Sequence, residues 1–131
     1  MTIRARIVAI LAIIAVPLAF FLFDSRLSTV SYACAAARAF TLSANIPGSL
    51  HSGEIRLEGA VHEGSVMIEG LPDNPSVVPE IYTAGASVGS EYQGEMYEAP
   101  EITFTPSPGA KCDLRLTYRL KSDLSLLNPL W

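Results

Sequence analysis

The residue types that most often do chemistry in proteins are sparse in this sequence. It has two histidines, His51 and His62, and neither lies in the HExxH pattern that places two imidazoles on one helical face. No G-x-S-x-G, Walker or G-x-G-x-x-G motif is present, so the usual nucleophile elbow and phosphate-binding loops are missing. Carboxylates are numerous but dispersed, which is typical of a solvated surface. We therefore predict a protein that is not an enzyme and uses no metal or cofactor.

The two cysteines, Cys34 and Cys112, are the remaining reactive side chains. An even number of cysteines in an exported domain favours a disulfide, and the alternative is two unrelated buried thiols. The sequence contains no CxxC motif, so neither a redox centre nor a zinc ribbon is indicated. We predict a Cys34–Cys112 bridge.

A segment near residue 95 has the composition of a recognition surface. Tyrosines and a methionine are interspersed with acids, and aromatic residues and methionine are enriched in protein interfaces. The alternative is a hairpin whose aromatic side chains cover the edge of a sheet. The candidate partner-binding residues are Tyr92, Glu95, Met96, Tyr97 and Glu98.

A long apolar stretch near the N-terminus is a candidate membrane-spanning helix, and it would place the residues above relative to the membrane. Ile7 to Phe23 is a stretch of seventeen residues without a charge. As a helix it would span roughly 25 Å, near the lower limit for crossing a bilayer. Arg4 and Arg6 precede it, which favours a cytoplasmic N-terminus. We predict that residues 7–23 contact membrane lipid and that the remainder lies across the membrane.

Three kinds of segment fit this run. A cleaved signal peptide would need a small-residue cleavage site, and the candidates at 31–33 and 35–37 lie far from the apolar core. A lipoprotein signal would make Cys34 the lipidated residue, although Tyr32 is bulky for that motif. An uncleaved anchor fits best, since Pro17 is tolerated in membrane helices.

Beyond the anchor, the hydrophobic period changes to two. Alternation over Phe40–Ile46 and over residues 112–120 predicts half-buried strands. Glu54–Val61 and Ser65–Gly70, joined by Glu63-Gly64, predict a hairpin. We expect five to seven strands and a mainly β fold, with an N-terminal transmembrane helix followed by a small antiparallel β-sheet or sandwich domain.

The segments between these strands carry weaker patterns. Residues 27–38 have high helix propensity around their alanines, which predicts a continued helix or a spacer. Residues 85–94 resemble a loop. We divide the chain into residues 1–30, the cytoplasmic stub and anchor, and residues 31–131, a periplasmic or extracytoplasmic β-domain.

The net charge of −4 conceals an uneven distribution. Residues 51–101 contain ten acids and one base, whereas residues 111–121 contain four bases and one acid. We expect the basic strand to lie beside acidic strands and pair with them. The alternative is an acidic surface for a basic partner. Nucleic acid is not an expected partner, because the exported part is acidic.

The layout resembles the FidL-like small membrane proteins of enteric bacteria. The matching features are the short anchor, Cys34, and the sequence Gly-Glu-Ile-Arg-Leu-Glu-Gly at Gly53–Gly59 with the predicted hairpin through Gly70. The second half of the chain departs from that pattern. The resemblance implies no enzymatic activity and an association with a membrane-bound regulator.

These observations together predict a single-pass protein of the bacterial inner membrane. Its periplasmic β-domain would act without catalysis, as an accessory or assembly subunit that binds another membrane or periplasmic protein. An alternative is a periplasmic ligand-binding or sensory domain with a pocket near Tyr82, Tyr92 and Tyr97. A hydrolase that uses dispersed carboxylates is a third hypothesis.

Overall fold

One apolar helix precedes a β-domain in this chain. The structure, a computed structural model, describes residues 2–46, 48–72 and 79–128. Helix α1 (Ile3–Asp24) begins at Thr2, whose side chain accepts a hydrogen bond from the Ala5 amide, and it continues through Pro17. Among the described residues, it is the helix long and apolar enough to cross a membrane, with a mean hydropathy of 2.7 over its best 18-residue window. A signal sequence would pass the same test of length and composition.

Two antiparallel four-stranded sheets form the rest of the described chain. In chain order the elements are β1 (Ser28–Tyr32), β2 (Arg38–Thr41), β3 (Leu50–Glu63), β4 (Ser65–Glu69), β5 (Glu80–Thr83), β6 (Ser87–Glu95), β7 (Glu101–Pro106), β8 (Lys111–Ser122) and the 3₁₀ helix η1 (Asp123–Leu127). The first sheet has the order β1-β8-β3-β6, and the second has the order β2-β7-β4-β5. Both contribute to one buried cluster, so the predicted small β-sandwich is confirmed.

The predicted hairpin of the second and third strands is wrong. β3 pairs with β6 and β8, whereas β4 pairs with β5 and β7, so the two strands belong to different sheets. Gly64 connects them with a φ of 73°, a backbone conformation that glycine adopts without strain. The chain therefore crosses from one layer to the other at Gly64, and Val61 and Val66 on either side are both buried.

Three other segments differ from the sequence prediction. Residues 28–32, expected in a helix or spacer, form β1, because β8 offers them a complete antiparallel partner. The first strand begins at Ser28. Most of residues 85–94, expected as a loop, belong to β6, which pairs with β3. β2 ends at Thr41, well before Ile46.

Alternating apolar rows build the core between the sheets. β8 shows the predicted alternation, with Cys112, Leu114, Leu116 and Leu120 all buried. The rings of Tyr32 and Phe104 stack with centroids 4.7 Å apart. Because Tyr32 lies in the first sheet and Phe104 in the second, this contact joins the layers, and such a pair contributes about 1 kcal/mol beyond its buried area.

The predicted disulfide is confirmed. Cys34, in the connection from β1 to β2, is bonded to Cys112, and their Cα atoms are 5.5 Å apart. That separation is in the usual range for a disulfide. The bridge ties the crossing between the two sheets to β8. A disulfide-bonded sulfur cannot carry a lipid, so the lipoprotein alternative, with Cys34 lipidated, is wrong.

The charged residues on the outer face of the first sheet pair across strands, as predicted. Arg119 of β8 lies 3.2 Å from the Glu54 carboxylate of β3, and Arg56 of β3 lies 3.3 Å from Glu91 of β6. The second pair is more than half exposed and contributes at most some tenths of a kcal/mol. The basic strand thus lies beside an acidic one. The opposite charges favour this pairing of strands but add little to the free energy of unfolding.

Gly59 provides a sensitive test of the strand register. Its φ is +145°, and an added Cβ would overlap the carbonyl oxygen of Asp113 on β8. We expect Gly59→Ala to lower the free energy of unfolding by about 2 kcal/mol or more, since it combines backbone strain with a clash. Gly89 on β6 is the control, because a Cβ there meets nothing within 4 Å. Urea unfolding followed by circular dichroism measures both, and equal effects would contradict the register.

The disulfide allows a second stability test. It closes a loop with a sequence separation of 78 residues. We expect the double substitution Cys34→Ser and Cys112→Ser to lower the free energy of unfolding by about 4 kcal/mol, chiefly because the unfolded chain gains entropy. Thiol alkylation of the unreduced, denatured wild type should label neither cysteine. Labelling of both, or an unchanged unfolding midpoint in the variant, would contradict the bridge.

Candidate functional site

The junction between α1 and the sandwich is the most organised polar site in the described chain. α1 ends at Asp24, and its carboxylate is fully buried, with 0% of the residue exposed. The Ser125 hydroxyl donates to Asp24 Oδ1 at 2.6 Å, and the Asn128 amide donates to Asp24 Oδ2 at 3.0 Å. Both donors lie at or just after η1, so the C-terminal end of the domain receives the end of the helix.

Side-chain amides also satisfy the last carbonyl groups of the helix. A helix leaves its final carbonyls without partners, and they need donors when they meet a protein surface. Asn45 Nδ2 lies 2.9 Å from the carbonyl oxygens of both Phe23 and Arg26, and Asn128 Nδ2 donates to the Phe21 carbonyl at 2.9 Å. Asn45 follows β2, so a second part of the domain contacts the helix end.

A third connection comes from the first sheet. Arg119 Nη1 on β8 donates to the Ser25 carbonyl at 3.2 Å, while Arg119 also pairs with Glu54. Charge-assisted hydrogen bonds of this kind are roughly twice as strong as neutral ones. Because β1 begins at Ser28, only residues 25–27 separate helix from strand. The helix therefore joins the domain through a connection of only three residues.

The junction does not provide a catalytic or metal site by its geometry. The Asp24 carboxylate is enclosed and already accepts two hydrogen bonds, so it is not presented to a substrate. Among the described residues, no group of three or more histidine, cysteine or acidic side chains is arranged to hold a metal ion. The arrangement fixes the position of a helix relative to a β-domain.

The predicted partner-binding residues lie where β6 ends, and they do not share one environment. Met96 is buried, with 7% of its surface exposed, and its amide donates to the His51 carbonyl. Tyr92 is half-buried and packs against the core. Glu95, Tyr97 and Glu98 are exposed. We call these last three residues the β6 rim, and they are the part of the predicted site that a partner can reach.

Tyr97 is the prominent side chain of the β6 rim. It is 71% exposed, and its hydroxyl donates to the Glu95 carboxylate at 3.0 Å. This hydrogen bond, with the nearby negative charge, raises the pKa of Tyr97 above its ordinary value. The exposed ring presents apolar area beside a carboxylate, a combination that suits protein recognition.

The pocket predicted near three tyrosines is not formed by those side chains together. Tyr82 and Tyr92 are half-buried and pack against the core, and the Tyr82 hydroxyl donates to Glu80 at 2.7 Å. Tyr97 faces solvent. Two of the three thus point inward and one outward, and we place no ligand pocket among them.

The histidines lie outside the junction. His62 Nε2 is 3.2 Å from Asp113 Oδ2 in an exposed pair. His51 lies in β3, and its carbonyl accepts a hydrogen bond from the Met96 amide. Neither imidazole approaches a nucleophile among the described contacts, and the prediction that they lack a chemical role stays a prediction.

Sequence reasoning missed the residues that hold the helix end. Asp24 carries one usable signal, since a carboxylate at the C-terminal end of a helix is opposed by the helix dipole and needs compensating donors. Asn45, Ser125 and Asn128 have no such signal, because each resembles an ordinary turn residue. Their roles depend on contacts with residues far away in the chain.

Known proteins offer little that bears on this site. No family model matches the chain, and no curated protein matches it. Among solved structures, it is similar to a chain from "Bacillus endospore appendages form a novel family of disulfide-linked pili", at 16% identity and a TM-score of 0.47, covering 75% of this chain and 87% of that one. The resemblance to FidL-like proteins stays a prediction.

The Asp24 network can be tested with an isosteric substitution. Asp24→Asn keeps the volume but replaces the carboxylate with a neutral amide that has a single acceptor oxygen, so the two charge-assisted hydrogen bonds from Ser125 and Asn128 are not both kept. We expect the free energy of unfolding to fall by about 2 kcal/mol, since hydrogen bonds to a charged group contribute about 1.5 to 3 kcal/mol. Urea unfolding of the full chain in detergent measures it.

Asp113→Asn is the matched control. Its side chain is 83% exposed and pairs with His62 at the surface, so we expect a change within about 0.5 kcal/mol. If Asp24→Asn were as mild as Asp113→Asn, the buried network would not hold the helix end.

Proposed function

We propose that the chain is a non-catalytic, single-pass membrane protein whose β-domain acts as an accessory or assembly subunit for another membrane or periplasmic protein. The observation that carries this proposal is the burial of Asp24 within the β-domain. Since the Asp24 carboxylate at the end of the helix accepts hydrogen bonds from Ser125 and Asn128, removal of the helix would leave these two buried donors without that acceptor. These hydrogen bonds form only if the helix stays attached to the domain, which supports an uncleaved anchor.

The positions of the cleavage candidates support the same proposal. A cut at 31–33 or 35–37 would separate β1 from the domain, although β1 pairs with β8 over its whole length. Tyr32 would be lost or left at a new terminus, and its ring stacks on Phe104 in the core. A signal peptidase product would therefore lack an edge strand and part of its packing.

The compartment follows from two further features. A disulfide forms and persists in oxidising compartments. Arg4 and Arg6 precede the apolar run and favour a cytoplasmic N-terminus. We therefore propose the bacterial inner membrane, with the β-domain in the periplasm.

The β6 rim is the proposed contact with the partner. Glu95 lies opposite Ser52, which lies opposite Lys121 on β8, next to the strand end that leads into η1 and the Asp24 network. The rim is thus at the same end of the sandwich as the helix. A partner that reaches it would be a membrane protein, or a protein close to the membrane, with cationic groups for Glu95 and Glu98.

Affinity purification in mild detergent tests the proposal. We expect the full chain, tagged at its C-terminus, to keep residues 1–33 by intact mass and to retain a stoichiometric partner. Tyr97→Ala should reduce the amount of retained partner by about tenfold or more, as for an interface hot spot. Ile81→Ala, another exposed large side chain at 66% exposure, is the control and should retain it.

Two outcomes would contradict the proposal. A purified chain without a partner would remove the accessory role, and a mature protein that begins after residue 33 would remove the anchor. Equal loss in Tyr97→Ala and Ile81→Ala would place the contact away from the β6 rim.

A further inference from the structure

An open pocket lies where the helix leaves the sandwich. Its volume is about 420 Å³. It is lined by residues from the end of α1, the short connection after it, the start of β1 and the segment that follows β2. The lining residues are Phe23, Arg26, Leu27, Ser28, Thr29 and Asn45. We call this the junction pocket.

The electrostatics of the junction pocket favour an anion. A helix C-terminus normally presents uncompensated carbonyl oxygens, which repel anions. Here Asn45 donates to the carbonyls of Phe23 and Arg26, and the Asp24 carboxylate points inward to Ser125. In the described part of the chain, the ion pairs do not include Arg26, which is exposed. Its guanidinium is therefore the charge that the pocket presents.

The apolar walls point to a lipid rather than to a soluble anion. Phe23 is 51% exposed and Leu27 is 50% exposed, although both flank a polar junction. The side chains of Phe23 and Leu27 are thus available to contact acyl chains. A free phosphate would gain nothing from them, whereas a phospholipid has both the anion and the apolar part.

The length of the helix sets the depth of the junction pocket. The uncharged run of seventeen residues spans roughly 25 Å, slightly less than a hydrocarbon core of about 30 Å. All of the run is therefore needed to cross, and the polar boundary of the bilayer falls at the end of α1. Arg26, two positions after Asp24, would lie at the level of the lipid phosphates, where arginine side chains commonly extend.

We propose that the junction pocket binds the headgroup of a membrane phospholipid. The Arg26 guanidinium contacts the phosphodiester, Ser28 and Thr29 lie at the wall of the same pocket, and Phe23 and Leu27 contact the acyl region. This inference depends on the uncleaved anchor of the proposed function. A bound lipid would hold the first strand of the domain against the membrane surface and fix the direction in which the β6 rim faces.

Native mass spectrometry of the full chain tests this site. The protein is purified in a maltoside detergent, which contains no phosphate, and phosphatidylglycerol is added at a fixed concentration. We expect one retained lipid on the wild type, and a five- to tenfold smaller lipid-bound fraction for Arg26→Gln, about the contribution of one arginine near a lipid surface. Arg26→Lys should retain most of the binding. Arg115→Gln, an exposed arginine on the outer sheet face, is the control and should bind as the wild type does.

Each outcome decides between the two proposals. An intact mass for the whole chain with equal lipid retention in Arg26→Gln and wild type, or with no retained lipid, overturns the lipid site alone. A mass that lacks the first 33 residues overturns the anchor and the lipid site together. Displacement of the lipid by 10-fold molar excess of inorganic phosphate would show a simple anion site and overturn the lipid assignment.

Discussion

The structure depends on one buried carboxylate, that of Asp24, at the end of a helix long enough to cross a bilayer. Burying a charge costs several kcal/mol unless donors surround it. For Asp24 the donors come from Ser125 and Asn128, at the opposite end of the chain. The domain can satisfy this carboxylate only when its last strand and η1 are in place. The helix and the sandwich are therefore parts of one folded unit.

The two ends of the sandwich are closed by different kinds of interaction. Near the helix, hydrogen bonds to Asp24 and to the last helical carbonyls hold η1 and the segment after β2. At the far end, the Cys34–Cys112 bond ties the crossing between the sheets to β8. Between them, the stacked rings of Tyr32 and Phe104 join the layers. The end of the sandwich near the helix is held by polar groups and the far end by a covalent bond, which suits a domain in an oxidising compartment.

Local patterns predicted the parts of this fold whose causes are local. The alternation of β8 follows from one wet face and one buried face, and the bridge follows from an even cysteine count in an exported domain. The change of sheet at Gly64 was not predictable, because a glycine turn serves a hairpin and a crossing equally well. β6 was missed since its glycines weaken the strand pattern, although β3 supplies a full partner. The site residues Asn45 and Ser125 gave no signal, because their partners are remote in sequence.

The end of α1, the junction pocket and the β6 rim lie at the same end of the sandwich. Only residues 25–27 separate the helix from β1, and the β-domain donates hydrogen bonds to the end of the helix, so no flexible linker divides the two parts. Amide hydrogen exchange of the full chain in lipid nanodiscs tests this rigid junction, because the Ser25 and Arg26 amides donate to the Phe21 and Phe23 carbonyls. These two amides should exchange as slowly as those of β8. Exchange at the rate of an unstructured peptide would contradict the rigid junction.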